Sequence, residues 1–150
     1  MKIIDGHAHL YPDTSAQKII DRFTDFHRME PQSGMGKGIV DDLQEKMAQS
    51  ETSYTVVANF APVKSPLKTN EWTLTTCRRY TNLIPLVSVY PEMPLDEVKA
   101  YFDRGANGIK MHNGIQEFDP ATEGLREIYR YCSDTGYPLH ITAVKHQEST

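Results

Sequence analysis

The sequence has little cysteine, no long hydrophobic run and no excess of positive charge, and each absence excludes a class of protein. Its 150 residues contain two distant cysteines, Cys77 and Cys132, which do not indicate a disulfide scaffold. The apolar runs are far shorter than a membrane span, and the opening MKIIDGHAHL lacks the apolar stretch of a secretory signal peptide. A net charge of -4 offers no basic surface to a nucleic-acid backbone. We therefore expect a cytoplasmic protein that binds neither nucleic acid nor a membrane.

Short apolar runs alternate with longer amphipathic ones along the chain. The pattern predicts five strands, at Lys2–Gly6, Tyr54–Phe60, Leu86–Tyr90, Ile109–His112 and Pro138–Thr142. It predicts helices between them, at Ser15–Met29, Asp41–Ser50, Pro66–Tyr80, Leu95–Phe102 and Leu125–Cys132. Five βα repeats predict one domain over residues 1–150 with a parallel α/β sheet. By periodicity alone, this sheet is either an open three-layer sheet or part of a (β/α)₈ barrel.

Two histidines at the end of the first strand give the strongest functional signal. His7 and His9 are two positions apart, so on a strand their side chains point the same way. In parallel α/β proteins the carboxyl ends of the strands carry the active site. Two imidazoles on one face can bind one divalent metal when other strands supply the remaining ligands. The alternative is a pair of solvated loop histidines.

The residues around this pair resemble a known family. The segment IIDGHAH, Ile3–His9, resembles the first strand of the amidohydrolase superfamily. The segment GIKMH, Gly108–His112, with Gln116 and Asp119 after it, is similar to the fourth-strand segment of the amidohydrolase-related branch, also called amidohydrolase family 2. The resemblance covers the chain up to Pro138.

This resemblance implies a (β/α)₈ barrel with a catalytic divalent metal, most often zinc, and a small-molecule substrate. His7 and His9 match the metal ligands of the first strand. The metal would activate a water that attacks an amide, ester or lactone; the alternative in the same branch is non-oxidative decarboxylation. Lys110 and His112 share one face of the fourth strand and are candidates to contact the substrate or the metal ligands. For His112 a simple loop contact is the other reading.

The chain departs from the family pattern in its last strand. Family members have a ligand histidine four residues after the proline, where this chain has Thr142. His140 lies on the same face about 6–7 Å deeper at the rise of a strand, which makes it a doubtful ligand. The later strand that supplies the catalytic aspartate of the family is absent, so no catalytic residue is assigned. We therefore expect a truncated, weakly active or inactive enzyme, with a non-catalytic fragment as the alternative.

The early end of the barrel pattern has several candidate explanations. A single-base deletion near codon 139 would explain both the missing histidine and the early end, because a shifted frame can encode histidine four residues after Pro138. A fragment cloned short and a naturally short homologue are the alternatives. In each case five strands cannot close a barrel, so the first and fifth strands become edges. We expect self-association or marginal stability from these exposed edges.

Overall fold

The computed structural model describes residues 2–26, 36–61 and 66–142. Its strands are β1 (Ile3–Ala8), β2 (Thr52–Val57), β3 (Leu83–Pro85), β4 (Val87–Ser88), β5 (Ile109–His112) and β6 (Leu139–Thr142). Its helices are α1 (Ala16–Phe26), α2 (Val40–Gln49), α3 (Leu67–Cys77), α4 (Leu95–Asp103), α5 (Asn113–Gln116) and α6 (Arg126–Thr135), with a 3₁₀ turn at Glu123–Leu125. None of the helices in these ranges is long and apolar enough to cross a membrane. The predicted end of the first helix, residues 27–29, lies outside the described residues.

All strand pairs are parallel, as the alternation of apolar runs predicts. The neighbours run in the orders β1-β2-β3 and β4-β5-β6. Leu86 alone separates β3 from β4, and its N–H donates to the carbonyl of Val57 while the next N–H, of Val87, donates to Gly108. The chain therefore passes directly from one sheet into the other. Within the predicted strand Leu86–Tyr90 only Val87–Ser88 is strand, and a separate strand, β3, precedes it at Leu83–Pro85, so Pro85 lies within a strand.

The first strand is longer and less regular than predicted. It reaches Ala8 instead of ending at Gly6, so His7 belongs to the strand itself. Its pairing with β2 shifts register between Ile3 and Ile4 and again between Asp5 and Ala8. Such irregularities locally re-aim side chains and are frequent beside functional sites.

The core determines which face of the sheet remains for chemistry. The larger apolar cluster packs Ile109 and Met111 of β5 against Val98 of α4 and Ile128 of α6, all almost fully buried. Because side chains alternate along a strand, Lys110 lies on the opposite side of β5. We call this opposite side of β5 and β6 the polar face. A smaller cluster packs under β1 and β2; its buried members are Leu10, Val40, Met47, Val57, Cys77 and Leu83.

A close backbone approach explains Gly108, which precedes β5. A Cβ added there would lie 2.7 Å from the carbonyl oxygen of Pro138 and 3.0 Å from the side chain of Leu86. That same Pro138 carbonyl accepts the N–H of Ile109 at 3.0 Å, the first bond between β5 and β6. Only glycine allows this approach. In the resulting pairing of β5 with β6, Lys110 lies opposite His140.

The two outer strands expose apolar side chains. Ile4 on β1 is 58% exposed and Ile141 on β6 is 41% exposed, and Ile3 and Leu139 on the same strands are also exposed. In the described part of the chain, β1 pairs only with β2 and β6 only with β5. Exposed apolar edge strands are templates for pairing with another chain.

We propose that these edges associate between two copies of the chain. Light scattering behind size exclusion should give a mass that rises with protein concentration. The Ile4→Lys, Ile141→Lys double variant should stay monomeric, because a charge at an edge opposes strand pairing. A wild-type chain that is monomeric at every concentration would contradict this prediction.

Candidate metal centre

The two histidines of the sequence motif converge at the end of β1. The Nε2 atoms of His7 and His9 lie 2.9 Å apart, and the two rings are nearly perpendicular, with centroids 4.7 Å apart. The backbone N–H of His7 donates to Oδ1 of Asp5 at 3.0 Å, which links the carboxylate to the start of the motif. The pair therefore presents two nitrogen atoms to one point.

Buried amide groups fix the position of the strand end that carries the pair. The N–H of Leu10 donates to Oδ1 of Asn59 at 2.9 Å, and Nδ2 of Asn59 donates to Oγ1 of Thr73 in α3 at 2.9 Å. The N–H of Ala58 donates to the carbonyl of Ala8 at 2.8 Å. These bonds tie the ends of β1 and β2 to α3. Sequence reasoning missed Asn59; a polar residue within the predicted apolar strand Tyr54–Phe60 was its only signal.

Aromatic contacts connect the pair with residues of β5 and β6 and with the segment after β2. The ring of His140, from β6, packs edge-on against His7 with centroids 4.6 Å apart. Phe60, which follows β2, packs against both His9 at 5.4 Å and His112 at 4.8 Å. The structure thus brings His7, His9, His112 and His140 into one connected group. Strand spacing places His140 deeper than Thr142, yet its ring still reaches His7.

Lys110 lies on the polar face with its side chain fully buried. Its Nζ donates to Oγ1 of Thr142, the residue at the position where the family pattern has a histidine. Burial lowers the pKa of Lys110 to about 8. No carboxylate in the described part of the chain pairs with this amine. The amine is therefore a cation that the described residues compensate poorly.

A buried network holds His112 at the end of β5. Its backbone N–H donates to Oε1 of Gln116 at 2.8 Å, and Nε2 of Gln116 donates to Oγ of Ser88 and to the carbonyl of Val89, each at 3.1 Å. The N–H of Ser88 donates to Oδ1 of Asn70 at 2.8 Å. The network joins β4, β5 and α3. Gln116 entered the sequence analysis through the family resemblance, whereas nothing in the local pattern indicated Asn70.

The surroundings of His7 and His9 favour the neutral form of both imidazoles. Burial lowers the pKa of His7 to about 4, and the positive charges of Lys110 and His140 lower it further against the opposing effect of Asp5. Burial likewise lowers the pKa of His9 to about 3, aided by His7 and Lys110. A neutral imidazole is the form that binds a metal.

The geometry and charge of the pair fit two ligands of one divalent ion. Two nitrogen ligands of a tetrahedral zinc lie about 3.3 Å apart for bonds of about 2.0–2.1 Å, close to the 2.9 Å between the Nε2 atoms of His7 and His9. Within residues 2–26, 36–61 and 66–142, however, no group of three or more His, Cys, Asp or Glu side chains is arranged to hold a metal. The described residues therefore do not by themselves complete a ligand set.

Comparison with known proteins identifies the fold. No family model and no curated protein matches the chain. Among solved structures, the chain is similar to a probable 2-pyrone-4,6-dicarboxylic acid hydrolase from Acinetobacter baumannii with citric acid bound, at 14% identity and a TM-score of 0.64. It is also similar to a protein named amidohydrolase II, at 17% identity and a TM-score of 0.63, and to IDCase from Metarhizium anisopliae, at 11% identity and a TM-score of 0.62.

These likenesses cover nearly the whole chain but only part of each neighbour. They cover 95%, 97% and 93% of this chain, and 50%, 54% and 50% of the three neighbours in the same order. The chain thus spans about half the length of the solved structures that it matches. The resemblance to amidohydrolases inferred from the sequence is confirmed for the fold.

Proposed function

We propose that this chain, which has the fold of part of an amidohydrolase, supplies the metal-binding part of a metal-dependent hydrolase. On this proposal its parallel strands are the N-terminal strands of a (β/α)₈ barrel. The observation that carries the proposal is the convergence of the Nε2 atoms of His7 and His9, 2.9 Å apart, at the carboxyl end of the first strand. That end of a barrel strand is where catalytic groups lie in such enzymes.

The side chains of the site have separate parts in the proposed reaction. His7 and His9 would hold a divalent metal, with zinc the first choice for imidazole ligands. When bound, such an ion lowers the pKa of a coordinated water and polarises a carbonyl, which is the chemistry that hydrolysis of an amide, ester or lactone requires. Phe60 packs against His9 and His112 and forms an apolar side of the site. Lys110 offers a positive charge on the polar face.

That uncompensated charge supports a substrate with a carboxylate. Lys110 is fully buried and has no carboxylate partner in the described residues. An anionic group of a substrate would compensate its charge in a way that Thr142 does not. The neighbour with bound citric acid is described as a hydrolase of a dicarboxylic acid, which agrees with this substrate class.

One observation favours a second candidate, a non-catalytic metal-binding fragment. Hydrolysis needs a group that moves the proton of the attacking water. Among the described residues, Asp5 is the only carboxylate whose charge acts on His7, and none acts on His9. Oδ1 of Asp5 is already the acceptor for the backbone N–H of His7. The chain would then bind metal without turnover.

A hydrolysis assay separates these candidates. The chain is loaded with one equivalent of zinc and offered a carboxylated lactone and a carboxylated aryl ester, with carbon dioxide release followed in parallel. We expect hydrolysis above the rate of free zinc, and a fall to that rate in the His7→Ala, His9→Ala double variant. Carbon dioxide release without hydrolysis would instead assign a decarboxylase. Bound zinc with neither product would overturn the proposed activity in favour of the fragment.

A further inference from the structure

An apolar cavity of about 440 Å³ opens beside the histidine group, where β1 and β2 end. This is within the range of about 300–1,000 Å³ that is usual for small-molecule sites. Apolar side chains from α1, α3, α5 and the segments that follow β1 and β2 form most of its wall. Its four aromatic rings and two cations are Tyr11, Phe23, Phe60, Trp72, Arg22 and Lys68.

The cavity shares a wall with the candidate metal centre. Phe60 lines the cavity and also packs against His9 and His112, with centroids 5.4 Å and 4.8 Å away. The rings of Tyr11 and Phe23 lie 6.4 Å and 6.1 Å from that of His9. A ring bound in the cavity would therefore be separated from the imidazoles by a single layer of side chains.

Both charged side chains among the described residues of the cavity wall are positive. Arg22 on α1 and Lys68 on α3 are exposed, and neither has a hydrogen bond or an ion pair in the described residues. None of the described residues that line the cavity is an aspartate or a glutamate. Two helices thus each supply a free cation to an aromatic cavity. A guanidinium and an ammonium are the donors that proteins use for carboxylates.

We propose that this cavity binds an aromatic carboxylate, with its ring among Phe23, Phe60 and Trp72 and its carboxylate at Arg22 and Lys68. Offset or edge-on contact between aromatic rings adds to the gain from burying the ring. The aromatic side chains of the wall account for the ring, and the two cations, which have no partner among the described residues, account for the acid. This ligand is distinct from the substrate of the proposed function, because Lys110 is not among the described residues that line the cavity, and its binding does not need the metal.

Trp72, the only tryptophan of the chain, reports on this cavity directly. Metal-free protein is titrated with benzoate, with benzamide as a neutral ring of the same shape and with acetate as a carboxylate without a ring. We expect a saturable change in tryptophan fluorescence with benzoate, and affinity weaker by about tenfold for benzamide, which corresponds to about 1.4 kcal/mol. Acetate should give no saturable change. Equal affinity for benzoate and benzamide would overturn the role of the cations.

Substitutions of the two cationic residues test whether benzoate binds in this cavity. Arg22→Gln, Lys68→Gln should lower the affinity for benzoate about tenfold and leave that for benzamide unchanged. Lys99→Gln, a neutralised lysine on α4 outside the cavity wall, is the matched control and should bind benzoate like the wild type. Benzoate binding that is absent, or unchanged in the double variant, would overturn the proposal. Because these titrations contain no metal, loss of zinc binding in a separate experiment would contradict only the proposed function.

Discussion

Replacement of both His7 and His9 by alanine is expected to weaken zinc binding by about 100-fold or more. The reason is that both neutral nitrogen ligands are removed at once, whereas loss of a single supporting contact to a metal ligand typically costs about 10–100-fold. The Nε2 atoms of His7 and His9, 2.9 Å apart, are two nitrogen atoms that the structure brings to one point. Zinc affinity would be measured by competition with a chromophoric chelator and the bound metal by elemental analysis.

Two single variants control this experiment. Gln49→Ala, at the exposed end of α2, should bind zinc like the wild type. His140→Ala asks whether the ring that packs against His7 at 4.6 Å also holds the ion. Unfolding curves show whether each variant is folded. A folded double variant that keeps the wild-type zinc affinity would refute the assignment of His7 and His9.

Replacement of Lys110 by methionine is expected to change the pH dependence of stability. Burial lowers the pKa of Lys110 from 10.5 to about 8. Between these two values the unfolded chain holds the proton and the folded chain releases it, so the free energy of unfolding rises with pH. The total gain is at most about 3.5 kcal/mol, at about 1.4 kcal/mol per pKa unit. Below pH 8 Lys110 is charged in the folded chain, and the full free-energy cost of burying that charge remains.

The test is chemical denaturation of both proteins at several pH values from 7 to 11. We expect Lys110→Met to be the more stable protein at pH 7, and its advantage to shrink through this window. The neighbouring His7 and His140 do not contribute there, because their pKa values are lowered below the usual value of 6.5. If the free energies of unfolding of the two proteins changed with pH in the same way, the lowered pKa of Lys110 would be contradicted.

The sequence predicts those features that depend on neighbours along the chain. The alternation of Ile109 and Met111 with Lys110 and His112 correctly separates the core face of β5 from its polar face. The spacing of Leu95, Val98 and Phe102 correctly predicts α4, which spans Leu95–Asp103. In both cases the spacing of the apolar residues is sufficient for the prediction, because this spacing determines which side chains can be buried together on one face.

Contacts between distant segments could not be predicted in this way. The bond between Leu10 and Asn59 and the packing of Phe60 on His112 join residues about 50 positions apart in the chain. They depend on the register of parallel strands, which local spacing does not determine. For the same reason strand spacing did not predict that His140 reaches His7.

X-ray absorption at the zinc edge of the chain loaded with one equivalent of zinc tests the central claim most directly. Our account predicts imidazole ligands at about 2.0–2.1 Å, with at least two histidines per ion and loss of that signal in the His7→Ala, His9→Ala variant. A zinc spectrum without imidazole ligands, or one that is the same in the double variant, would contradict the claim that these two residues form a metal site.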